Sequence, residues 1–161
     1  GGLNPSGGTI YRVRYQARQW SCGPAAIVNA ARALGIRVAE GRVRALAGTT
    51  EDGTDEDELI AAIRGISLKA TPHHSADQSA AWAFVRANVL DGRPCVICID
   101  QWRHWVTVIG IVGDRIILCD PIDTKKNASE NGIYSLSRPD LLRRWRHPSD
   151  EEPFYAIAIS K

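Results

Sequence analysis

The sequence predicts an α+β fold, with a helical first half packed on an antiparallel β-sheet formed by the second half. Two observations carry this. Apolar residues at helical spacing, with start and stop residues, dominate the stretch up to Leu90, whereas short apolar or alternating runs bounded by turn residues dominate from Pro94 onward. The chain is 161 residues long, without repeats, low-complexity tracts or an internal linker, so one core is expected to serve both halves.

Taken in order, residues 1–9 are glycine-rich and predict a flexible N-terminal segment, leaving a single domain over 10–161. IYRVRY, at 10–15, alternates apolar and basic residues as an edge strand would. Ser21-Cys22-Gly23-Pro24 then opens a helix in which Ile27, Ala30, Ala31 and Leu34 recur at helical spacing. Ser21 suits the N-cap, Pro24 the first turn, and Gly35 the stop. Shorter helices are expected over 39–47 and 55–64, the second helped by the acidic run after Thr54. A strand at 68–70 leads into a helix over 76–90. Strands follow at 94–100, 104–112 and 115–119, the last two joined through Gly113-Asp114. Strands at 133–136 and 154–159 flank a helix at 139–145.

Composition excludes several classes. A net charge of +2 is too small to indicate nucleic acid. The basic cluster Arg143, Arg144, Arg146 and His147 reads as a solvated helix end, with an anionic partner as the lesser alternative. No apolar run approaches the ~20 residues that span a bilayer, so no membrane span is expected in this chain. An upstream or fused segment is left open, since the chain does not begin with methionine. Cys95, Cys98 and Cys119 lie in apolar runs and read as core residues. Cys95 and Cys98 form a C-x-x-C, but that spacing in a strand puts them on opposite faces. Free cysteines indicate a reducing, cytoplasmic compartment. Neither a metal nor a cofactor is implied.

Cys22 is set apart by its place at a helix start, where the helix dipole and unpaired N–H groups favour a thiolate. Packing under the helix is the plain alternative. The small Gly23 beside it would leave room for a substrate backbone. Gln16, six residues earlier, could donate its amide to a developing oxyanion beside the Cys22 N–H, with Gln19 as a nearer competitor. Of the four histidines, His73, His74 and His147 fall in polar turns. His104 begins the apolar run HWVTVIGI between Trp102 and Trp105, a setting suited to a general base. Asp120 ends the following strand in LCDP and could orient an imidazole, or could simply form a turn before Pro121; Asp123 is a second candidate. Trp20, Trp102 and Trp105 could form an apolar peptide-binding wall.

Q-x5-C-G-P-A-A entering a helix, H-W-V-T-V-I-G opening a strand, and D-P closing the next strand together resemble the papain-like cysteine peptidases. The set is most similar to the bacteriocin-processing peptidases that cut after double-glycine leaders, and to their stand-alone relatives. The resemblance covers 16–35 and 95–121. It implies a papain-like fold, Cys22 as nucleophile, His104 as base, Asp120 as orienter and Gln16 at the oxyanion. It also implies a peptide or protein substrate cleaved through a thioester. Two departures stand out: Ser21 occupies a position that is usually acidic in transporter-linked members, and no transport domain is present. A transpeptidase or amide acyl-transferase, and a non-catalytic peptide-binding module, are the alternatives.

The hairpin sets a geometric condition. With a two-residue turn at Gly113-Asp114 and a regular ladder, Thr107 would face Asp120, and Asp120 would lie on the opposite face from His104. An odd-length loop or one bulge is therefore expected between them.

Overall fold

The computed structural model describes residues 16–18, 20–122 and 132–161, with the backbone of 2–3 and 9–10. Gly2–Leu3 (β1) and Thr9–Ile10 (β2) pair antiparallel. Apart from Ile10, the strand expected at 10–15 lies outside the described residues.

The helix α1 (Cys22–Ala33) runs where expected and ends as Gly35 takes a φ of 79°, which glycine adopts without strain. Ser21 holds the N-cap position but does not cap. Its Oγ accepts from the Arg18 N–H (3.0 Å) and donates to the Arg18 carbonyl (3.1 Å), so it closes the preceding loop instead. Two short helices follow, α2 (Glu40–Ala47) and α3 (Glu56–Gly65). The cap of α3 is Asp55. Asp55 accepts from the Glu58 N–H at 2.9 Å and Glu58 reciprocates at 3.0 Å, a capping box that satisfies two otherwise unpaired donors.

Six strands make the main sheet: β3 (Lys69–Ser75), β4 (Cys95–Ile99), β5 (His104–Val112), β6 (Arg115–Cys119), β7 (Ile133–Ser137) and β8 (Phe154–Ser160). Their order is β3-β8-β4-β5-β6-β7, with every neighbouring pair antiparallel. The strand β3 is longer than its sequence suggests. It runs through Pro72, His73 and His74, which corrects the reading of those histidines as turn residues. As the edge strand it pairs on one side only, where a proline is tolerated. His73 stacks on Phe84 (4.5 Å), and His74 meets Tyr155 (4.4 Å).

Helices cover both faces. The first three pack on one, where Ile27, Leu59 and Ile63 meet Val96, Cys98, Trp105 and Ile157. On the other, α4 (Gln78–Leu90) and α5 (Arg138–Trp145) pack Val85, Leu141 and Trp145 against Cys95, Ile97, Val106 and Leu118. Cys95 and Cys98 therefore do face opposite ways. Thr107, wholly buried on β5, donates its hydroxyl to the Ala26 carbonyl at 2.7 Å, a contact worth about 1 kcal/mol that fixes how α1 lies on β5.

The expected irregularity is a bulge. The turn at Gly113-Asp114 is regular, with Val112 opposite Arg115, but the register shifts between Val108 and Gly110 so that Thr107 faces Cys119. The skipped residue, Ile109, is buried with Ala33 and Cys119. The shift puts Asp120 on the same face as His104.

Candidate active site

Cys22 is the first residue of α1 and is partly exposed, whereas the other three cysteines are buried; all four are free. His104 is the first residue of β5 and is 8% exposed. Asp120 follows β6 and is 1% exposed. Its Oδ1 lies 2.5 Å from His104 Nε2 and accepts from the Ile122 N–H at 2.9 Å; Oδ2 accepts from the Tyr134 hydroxyl at 2.9 Å. An ionised carboxylate can only accept, so Nε2 must carry the proton of this contact. The other ring nitrogen, Nδ1, is buried with no formed hydrogen bond among the described residues. The Cys22 thiol is nevertheless close enough to bias the ring's charge.

Burial is the largest single influence on His104 and opposes its charge. The Asp120 hydrogen bond, then Cys22 and the Asp120 charge, outweigh it and raise the imidazole from 6.5 to about 9. Burial likewise opposes ionisation of Asp120, yet contacts from His104, the Ile122 N–H and Tyr134 hold its carboxyl below the usual range. The pair is therefore built to carry imidazolium beside carboxylate. Burial raises the thiols of Cys95 and Cys98, and that of Cys119 to about 12, so these three stay protonated.

Sequence reasoning missed Tyr134 and the part played by Arg144. Tyr134 pairs with Leu118 across β6 and β7, which places it beside Asp120 on the same face. Only the strand register could have revealed this. Arg144 was expected in a solvated cluster. Instead its guanidinium donates twice to Asp100 (3.0 and 2.8 Å) and also reaches Tyr134. Asp100 opens the turn before His104, in which Asp100, Gln101 and Trp102 all have positive φ (54°, 62° and 61°). Three non-glycine residues in the left-handed region cost on the order of 1 kcal/mol each, and the Arg144 clamp helps to hold them there.

Gln16 is drawn to the same place by its backbone, whose N–H donates to the Pro121 carbonyl at 2.8 Å. Its amide Nε2 donates to the Arg18 carbonyl at 2.7 Å. The loop into α1 is further tied by buried Glu40, which accepts from the Ala17 N–H at 3.0 Å and lies 3.4 Å from the Ser21 hydroxyl. A Cβ on Gly23 would meet Leu59 at 3.0 Å and Trp105 at 3.3 Å, so its smallness serves packing. Trp105 is buried and donates its indole N–H to the Thr54 carbonyl at 3.1 Å; Trp102 is 38% exposed and leans on His147. Both line one cleft, while Trp20 sits partly buried in the turn before Cys22. Gln19 and Asp123 lie outside the described residues. Among the described residues no cluster suits a metal, and no helix is long and apolar enough to cross a membrane.

Helices packed on both faces of a six-stranded antiparallel sheet, with one helix starting at Cys22 and one strand at His104, have the architecture of the papain-like fold. Residues 10–147 match the Peptidase C39 family, and the chain belongs to that family. An uncharacterised protein of Methanothermobacter thermautotrophicus is 44% identical over 55 residues, which span 34% of this chain and 39% of that protein. Another, from Methanothermobacter marburgensis, is 31% identical over 111 residues, 66% of this chain and 68% of that one. The fold is shared with the peptidase domain of Streptococcus ComA, a bi-functional ABC transporter involved in quorum sensing (TM-score 0.71, 19% identity, 94% of this chain and 98% of that one). It is also shared with a double glycine motif protease from an AMS/PCAT transporter, solved in complex with its leader peptide (TM-score 0.67, 17% identity, 95% and 96%).

Proposed function

We propose that this chain, with 10–161 as one domain, hydrolyses peptide bonds in a leader or pro-peptide through Cys22, His104 and Asp120. The observation that carries the reading is the buried His104–Asp120 pair at 2.5 Å, with Cys22 close enough to influence the ring. The imidazole takes the thiol proton, and Asp120 holds the resulting imidazolium in place. The Cys22 thiolate attacks the scissile carbonyl, whose oxyanion is met by the Cys22 N–H and the Gln16 amide. The imidazolium then protonates the leaving amine, giving a thioester. Water, deprotonated by His104, cleaves the thioester and restores the thiol.

A leader-type substrate is favoured by the shared fold of the double-glycine protease. Free cysteines favour a reducing, cytoplasmic setting. The test is alkylation at pH 6 with iodoacetamide, paired with mass analysis of peptide products from wild type and Cys22→Ser. Selective labelling of Cys22 and loss of cleavage in the variant are expected. Labelling no faster than a free thiol would sink the nucleophile and favour a non-catalytic peptide binder. An added amine acceptor appearing in the product would redirect the reading to acyl transfer.

A further inference from the structure

Beside Cys22 lies a cleft of about 540 Å³ whose contents the chemistry above does not use. Its apolar floor is Cys98, Trp102, Trp105 and Tyr155. Its position next to the thiol follows from packing: Cys22 lies against the cluster that includes Cys98 and Trp105, and Trp105 packs where Gly23 would carry a side chain. The rim is acidic. Asp52, Asp55, Glu56 and Glu58 line it, with no lysine or arginine among the described lining residues.

A helix N-terminus such as that of α3 would by itself favour an anion. Here the capping box and the acidic first turn already answer it, and the rim remains negative. Glu56 is 3.2 Å from His74 Nε2, and Asp55 and Glu58 serve the cap, yet each still carries its carboxylate. A second, independent feature lies at the floor. Tyr155 is 2% exposed, and its hydroxyl is buried with no hydrogen-bond partner among the described residues. A buried hydroxyl of this kind costs free energy until something fills the contact. Burial foremost, then the charges of Glu56 and Asp57, push the phenol pKa up, so it enters any contact as an intact hydroxyl.

Aromatic faces, an acceptor oxygen and surrounding carboxylates together suit one kind of occupant: a long aliphatic stem ending in a cation. We propose that this cleft selects a lysine or arginine side chain flanking the scissile bond, so that the favoured substrates carry a basic residue next to the cleavage site. The identification of the residue as part of a substrate rests on the peptidase reading above.

The test uses internally quenched peptides in which lysine, arginine, norleucine or glutamate is walked through each position on both sides of the cleaved bond. At one position, lysine or arginine is expected to exceed norleucine in kcat/KM by about tenfold, the scale of one desolvated cation–π contact. The preference should weaken with added salt. It should also fall several-fold in the Asp52→Asn/Glu56→Gln double variant and in Tyr155→Phe. Binding of the same peptides to Cys22→Ala, followed by tryptophan fluorescence, reads the cleft without turnover. Charge-dependent binding without cleavage by wild type would uphold the cleft and sink the hydrolase. Cleavage with no position that discriminates lysine from norleucine, or a preference untouched in the double variant, would overturn the cleft assignment alone.

Discussion

The two halves of the proposed site are built differently. The sheet-borne half, His104 with Asp120 and Tyr134, is buried and cross-linked by hydrogen bonds to both carboxylate oxygens. The helix-borne half, Cys22 with the loop from Gln16, is partly exposed and hangs from Glu40 and Pro121 by a few contacts. In the proposed mechanism the sheet thus supplies a fixed electrostatic field, and the helix supplies an accessible nucleophile. Preorganisation is concentrated where charge must be held, and openness where substrate must enter.

That contrast can be broken in order of expected effect. Cys22→Ala should remove activity altogether, a loss of about 10⁴-fold or more, with only a small change in melting temperature because the thiol is partly exposed at the edge of the core. Asp120→Asn should lower kcat/KM by about 10³-fold, since the amide can no longer hold the imidazolium. It should also move the alkaline limb of the pH–rate profile from about 9 toward 6.5, as rates measured across pH 6–10 would show. Gln16→Ala should cost about 10²-fold in kcat with little change in stability, the usual scale for one oxyanion donor.

Tyr134→Phe should reduce rate only several-fold and stability by about 1 kcal/mol, read by urea denaturation alongside kinetics. If Tyr134→Phe proved as damaging as Asp120→Asn, the carboxylate would depend on the hydroxyl far more than its other contacts imply.

Stability itself should follow the same pair. The folded pKa of His104, about 9, lies above its unfolded value of 6.5. Its contribution is therefore full below pH 6.5 and is lost as pH rises through about 9. Asp120 works the other way: its folded pKa lies below 3.8, so its contribution is present above 3.8 and is lost as pH falls through the folded value. Melting curves between pH 6 and 10 should fall more steeply for wild type than for Asp120→Asn.

Much of this was legible in the sequence. The ends of α1 were marked by Pro24 and Gly35, and β5 and β6 by mainly apolar runs around Gly113-Asp114, because those signals act through local backbone preference. The need for an irregularity was legible from parity alone, but its location at Ile109 was not, since it depends on what Ile109 packs against. The extension of β3 through Pro72-His73-His74 was hidden by residues that look turn-like until the strand is known to be at an edge. Tyr134, Arg144 and the burial of Gly23 depend on which elements become neighbours, and no local pattern encodes that.

The bulge at Ile109 has a practical corollary. It corrects the alternation well inside the hairpin, between the tip and the Thr107–Cys119 pair. The tip at Gly113-Asp114 is thus mechanically insulated from the chemistry, and Val112, at 53% exposure, points to solvent there. A tag or sensor peptide grafted between Gly113 and Asp114 should leave turnover intact, which makes that loop a natural attachment point for immobilising or reporting on the enzyme.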